Sequence, residues 1–119
     1  MTRRVFSAPW ILSFLLLACG GAPLPQEQFS AAQASVKGAE VAGAAEDPKS
    51  ALHLKLAHEQ LDKAKALMDN GDNERAAHVI DRAQADAELA ILLAKEARAR
   101  KEATDAREQV EELKQRIQK

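Results

Sequence analysis

The stretch Asp47–Asp72, DPKSALHLKLAHEQLDKAKALMDNGD, contains both ends of a helix and the apolar stripe between them. Asp47 suits an N-cap, and Pro48 suits the first helical position, where its missing N–H costs nothing. Leu54, Ala57, Leu61, Ala64 and Met68 recur at steps of three and four, with Leu67 beside them, which is the period of one helix face. Gly71 is placed to adopt the left-handed conformation that ends a helix, and Asp72 to cap the next one. The spacing predicts a helix over about 48–70. A connection this short turns the following helix back antiparallel.

Beyond Gly71 the chain has no Gly or Pro, so one helix is predicted from Asn73 to the C-terminus, over 73–119. At 1.5 Å per residue it is roughly 70 Å long, about twice the length of its partner. Two stripes run along it. One is Ala76, Ile80, Ala83, Ala87, Ala90, Ala94 and Ala97. The other is Ala85, Leu89, Leu92, an interrupting Glu96, then Ala99, Ala103, Ala106, Val110, Leu113 and Ile117. Where they overlap, over 85–94, the helix is expected to be covered from two sides. The covers are the 48–70 helix and a first helix over about 25–44, whose face is Phe29, Ala32, Val36, Ala39 and Gly43.

The predicted fold is therefore all-α. It is a small antiparallel three-helix bundle with helices at about 25–44, 48–70 and 73–119, and with 96–119 overhanging as a coiled-coil-like helix. The overhang has two readings. Lys114 and Arg116 alternate with Glu108, Glu111 and Glu112 at pairing distances, which suits a solvated, charge-stabilised tail. The seam Ala99, Ala103, Ala106, Val110, Leu113 and Ile117 suits self-association or docking on a partner helix.

The bulk composition limits the core. Hydrophobic residues make up 46% of the 119, but much of that is alanine, and aromatics are 3%. Phe6, Trp10 and Phe14 all precede Cys19, which leaves Phe29 as the single aromatic after it. Such a core is thin and built from closely approaching helices. Leaving out Arg3 and Arg4, 15 basic residues face 18 acidic ones from residue 19 onward, a net charge of −3. That balance, with no aromatic platform for stacking, argues against nucleic-acid binding. A single cysteine excludes an internal disulfide.

The N-terminal region reads as an export signal. Arg3 and Arg4 precede an apolar run, Val5–Ala18, which is too short to span a bilayer at about 20 residues. It ends in Leu16-Leu17-Ala18-Cys19, which resembles the lipobox of bacterial lipoproteins. That resemblance implies cleavage before Cys19 and acylation of its sulfur. More than one acyl chain is needed because one alone holds a protein at a membrane only marginally. The plainer alternative is an ordinary secretory signal in which the cysteine is incidental. The expected division is a signal peptide over 1–18, a lipidated cysteine and Gly/Pro tether over 19–25, and a helical domain over 26–119. Gly20 rather than Asp after the cysteine resembles Gram-negative lipoproteins sorted to the periplasmic face of the outer membrane. In a Gram-positive cell that sorting inference lapses.

From Pro48 to Arg98 the chain resembles the bacterial lipoprotein family known as domain of unknown function 4398. The resemblance rests on Leu56-Ala57, Leu61, Ala64-Lys65-Ala66-Leu67, the Gly71-Asp72 turn, Arg75-Ala76-Ala77, and Ala83 through Ala85-Asp86-Ala87-Glu88-Leu89-Ala90. It implies an envelope lipoprotein, sometimes found beside or fused to OmpA-like peptidoglycan-binding domains, and it brings no catalytic residues. The terminal Lys119 is also similar to the end of the major (Braun-type) outer-membrane lipoprotein, where lysine joins peptidoglycan. The aromatic-basic ending of that protein is missing here.

No catalytic, cofactor or metal site is expected. His53 and His58 are five apart, and so do not share a face as an i,i+4 zinc pair would. His58 with Asp62, and His78 with Asp81, have the spacing of surface hydrogen bonds. Nothing in the chain forms a phosphate loop, or sets a nucleophile beside a base. The sequence thus predicts a non-enzyme without a small-molecule substrate. Two roles remain: a helical interaction or assembly module held at a membrane by Cys19, or a structural spacer between outer membrane and peptidoglycan. Its partners would be a second copy or an OmpA-like envelope protein.

Overall fold

The computed structural model describes residues 21–118. These form three helices: α1 (Gln26–Val41), α2 (Pro48–Asp69) and α3 (Asn73–Ile117). The bundle is that of the sequence prediction: α2 and α3 begin at the expected residues, and the other helix ends lie one to three residues from the expected ones. Asp47 caps α2 as expected: its Oδ2 accepts from the backbone N–H groups of Lys49 and Ser50, each at 3.0 Å. Asp72 caps α3 more loosely, accepting from the Arg75 N–H at 3.4 Å.

Both connections are Schellman turns. After α2, the Gly71 N–H donates to Met68 O and the Asp72 N–H to Leu67 O, with Gly71 at φ 77. After α1, the Gly43 N–H donates to Glu40 O and the Ala44 N–H to Ala39 O, with Gly43 at φ 80. The expectation that α1 runs through Gly43 on its apolar face is therefore corrected. A left-handed residue cannot continue a right-handed helix, and the chain turns there. The Ser50 hydroxyl, fully buried, then donates to Ala44 O at 2.7 Å and ties the turn to the first coil of α2.

α3 is the spine: it packs mainly on α2, less on α1, and α1 and α2 touch least. Its N-terminus lies beside the start of α1, since Asn73 Nδ2 donates to Ala22 O at 2.9 Å. At the other end of α1, the Arg98 guanidinium donates to Ala42 O at 3.1 Å. α1 and α3 are thus parallel, and α2 runs against both. The core is built of alanine: Ala32, Ala39, Ala57, Ala64, Ala83, Ala87 and Ala90 are all fully buried. Among the described residues, Ile80 is the one large apolar side chain with no exposure at all. Side chains this small let helix axes approach closely, so contact comes from backbone proximity rather than from bulk.

From Arg98 to Gln118 every residue of α3 is exposed. α3 has 45 residues against 22 in α2, about 68 Å against about 33 Å at 1.5 Å per residue. No described helix is long and apolar enough to cross a membrane.

Candidate functional site

Of the two stripes on α3, only one enters the bundle. Ala76, Ile80, Ala83, Ala87, Ala90 and Ala94 are buried, and Ala97 is half-buried. The second stripe is not covered: Ala85 is exposed, Leu89 keeps 39% of its surface and Leu92 keeps 63%. Burial of 85–94 from two sides was expected, and the structure corrects this. α1 and α2 lie on the two flanks of the one buried stripe, α2 reaching Asp86 and α1 reaching Ile91. The opposite arc stays in solvent.

That free arc continues into the overhang seam across the single interruption at Glu96. Ala99, Ala103, Ala106, Val110, Leu113 and Ile117 all lie on α3, share one face by their spacing, and are exposed. Eight large hydrophobics are exposed among the described residues, and five of them lie on this line: Leu89, Leu92, Val110, Leu113 and Ile117. Scattered exposed apolar residues need no explanation, but a concentration on one line does. A groove of about 350 Å³, bounded by Ala106, Arg107, Val110, Glu111 and Lys114, runs along it. Helical ion pairs flank it, as the charge pattern predicts: Glu96 with Arg100, Glu111 with Lys114 at 3.5 Å, and Glu112 with Arg116.

The histidines do something sequence spacing did not reveal. His53 Nδ1 lies 2.7 Å from Asp86 Oδ1, and Gln60 Nε2 donates to Asp86 Oδ2 at 2.8 Å. One carboxylate on α3 thereby holds two residues two turns apart on α2. His58 pairs with Glu40 of α1 at 3.2 Å, not with Asp62. No bond joins His78 to Asp81 among the described residues. Such cross-helix pairs have no signal in a linear sequence, because the partners are 33 and 18 residues apart. Glu40 also accepts from Lys37 at 2.8 Å. That hydrogen bond, then the Lys37 charge, holds the Glu40 carboxyl below its usual range, and the same pairing raises Lys37. The attraction is therefore present above the usual carboxylate range, is lost as pH falls below it, and is screened because both groups are exposed.

The larger depressions are open, the first lined by charges of both signs and the second by mainly apolar residues with Glu27 and Glu74. One of about 530 Å³ lies where α3 leaves the bundle, between Gly43, Asp47, Arg98 and Asp105. Another, of about 720 Å³, lies beside the tether between Leu24, Gln28, Glu74 and His78. Among the described residues no three His, Cys, Asp or Glu side chains are grouped to hold a metal ion. Leu16, Leu17, Ala18 and Cys19, the residues of the lipobox-like motif, and Lys119 lie outside the described residues.

Comparison with known proteins yields one match, to the family model described as a domain of unknown function (DUF4398), over residues 27–115. The matched region takes in α1 and most of the overhang, and so extends beyond the 48–98 stretch on which the resemblance was read. No curated protein and no solved structure matches the chain.

Proposed function

The chain belongs to the DUF4398 family, and from that footing we propose that it is a non-catalytic cell-envelope lipoprotein. In this reading acylated Cys19 anchors it, at the periplasmic face of the outer membrane in a Gram-negative cell, and α3 is presented as an interaction or assembly module. The carrying observation is the collection of exposed apolar residues on one line of α3, facing away from the core. A helix face of that length has no role in the bundle and has the spacing of a helix-pairing surface.

The anchor rests on the order of charge, apolar run and Leu16-Leu17-Ala18-Cys19. The tether geometry supports an orientation. Ala22 is held by Asn73 at the Gly71 end of the bundle, so lipid on Cys19 would lie at that end, with the overhang pointing away. Fatty-acid labelling and fractionation of the full chain test the anchor. Cys19→Ser is expected to abolish the label and shift more than nine-tenths of the protein out of the membrane pellet. Retention of label or of pelleting in that variant would remove the anchor from the proposal.

The rod itself favours a second reading, a structural spacer toward peptidoglycan. A helix of about 68 Å directed away from its anchor suits that task. If the C-terminal lysine joins the wall, deletion of Lys119 frees the protein from purified sacculi. An unchanged sacculus-bound fraction would exclude that linkage.

A further inference from the structure

We propose that the exposed stripe of α3 pairs with the same stripe of a second copy of this chain, as a parallel, in-register two-stranded coiled coil. The inference rests on reading this stripe as a docking face, and it names the occupant.

The first argument is geometric. From Ala85 to Ile117 the stripe advances in strict steps of four and three. Leu89, Glu96, Ala103, Val110 and Ile117 therefore occupy a positions, and Ala85, Leu92, Ala99, Ala106 and Leu113 occupy d positions. This is the repeat whose supercoil keeps one seam facing a like helix. At 100° per residue its midline lies about 150° around α3 from the buried stripe. α1 and α2 therefore sit behind the seam and leave it open to a second helix along its whole length, within the bundle and beyond it.

For a second copy, charge disfavours the antiparallel direction. The e positions of the overhang are Arg100, Arg107 and Lys114, all basic. An antiparallel copy would set e rows against each other and bring like charges together along the seam. A parallel copy sets g against the following e, which aligns Glu102 with Arg107 of the second copy. It also sets Lys95 beside Glu96 of the second copy. Lys95 meets Arg100 of that copy as well, but the two Glu96 carboxylates lie between them, and each Arg100 is already held by its own Glu96. Lys95, Glu102 and Arg107 have no ion-pair partner within the chain among the described residues. Glu102 and Arg107, which a parallel copy would pair, are both left open by the single chain.

The seam holds one internal misfit, Glu96 at an a position. Two carboxylates there oppose each other across the axis, which costs the in-register pair stability. Four of the other a and d positions in the overhang are alanine or valine, so pairing is expected to be weak in dilute solution and favoured where chains are concentrated on a surface.

Site-directed disulfide formation in the full chain, within intact membranes, tests this directly. Ala85→Cys and Ala106→Cys, made separately, are both expected to give disulfide dimers, while the parent chain gives none. Only a parallel, in-register pair brings both positions against their own copies. Dimer at one position only would indicate antiparallel or shifted pairing. Dimer at neither, or a disulfide to a different protein, would assign the face to another occupant. Each of these results overturns the proposal. In the Ala106→Cys background, Leu113→Asp should cut the dimer yield at least tenfold and Glu96→Leu should raise it. Glu102→Lys should lower the yield, and adding Arg107→Glu should restore it; no recovery in the double variant would overturn the register. Failure of the anchor would appear separately, as unchanged fatty-acid labelling of Cys19→Ser. Failure of pairing would appear as absent dimer in chains that carry lipid.

Discussion

Replacing Ile80 by alanine is expected to lower the unfolding free energy by about 2–5 kcal/mol. Ile80 has no exposed surface, and among the described residues every other apolar side chain buried to that degree is an alanine. It therefore supplies bulk in a core made mostly of alanine, and alanine side chains have no rotamers with which to fill a void. A small domain has about 5–15 kcal/mol in total, so the loss takes a large share. Thermal unfolding followed by circular dichroism should move down by about 4–8 °C for each kcal/mol lost. Leu92→Ala is the matched control: Leu92 is 63% exposed on the same helix, and its removal should stay within about 0.5 kcal/mol. Equal effects at the two positions would mean that the bundle does not close on the Ala76–Ala94 stripe.

Ala87→Leu is expected to destabilise the bundle by about 1–3 kcal/mol through overpacking. Ala87 is fully buried where α3 meets its neighbours, and three added carbons there must displace a helix or twist off-rotamer. The same change at Ala103, fully outside the bundle, should leave the monomer's melting temperature nearly unchanged. If the seam pairs with a second copy, Ala103→Leu should also increase the disulfide dimer seen with Ala106→Cys. One substitution type thus carries opposite signs on two faces of one helix, and urea denaturation read beside cross-linking separates them. A neutral Ala87→Leu would show that the alanine contacts are loose and that helix approach is not what holds this core.

The element boundaries could be read from the sequence because they depend on local chemistry. Asp47 before Pro48, and Gly71 before Asp72, act through hydrogen bonds within a few residues of themselves, and such preferences survive in any tertiary context. Gly43 carries the same signal, but it also falls on the three-four period of a helix face. Its neighbours Ala42, Ala44 and Ala45 are helix formers that do not mark a stop. The histidines show the opposite limit. Spacing along one helix suggested His58 with Asp62, yet the bundle places Glu40 within 3.2 Å of His58 and Asp86 within 2.7 Å of His53.

The seam divides in the same way. That Ala99, Ala103, Ala106, Val110, Leu113 and Ile117 share a face follows from a 3.6-residue turn and needs no other information. Periodicity also showed that α3 has two apolar stripes, but not how many neighbours would cover them. By itself the sequence determined three helices, their order, their antiparallel turns, and a third helix too long for its partners. Only the tertiary structure decided that α1 and α2 flank a single stripe of α3, leaving Leu89 and Leu92 in solvent as a continuation of the overhang. The reason is physical: a period specifies an angle around one axis, whereas coverage depends on how closely alanine-faced helices approach, which is a property of the assembled bundle.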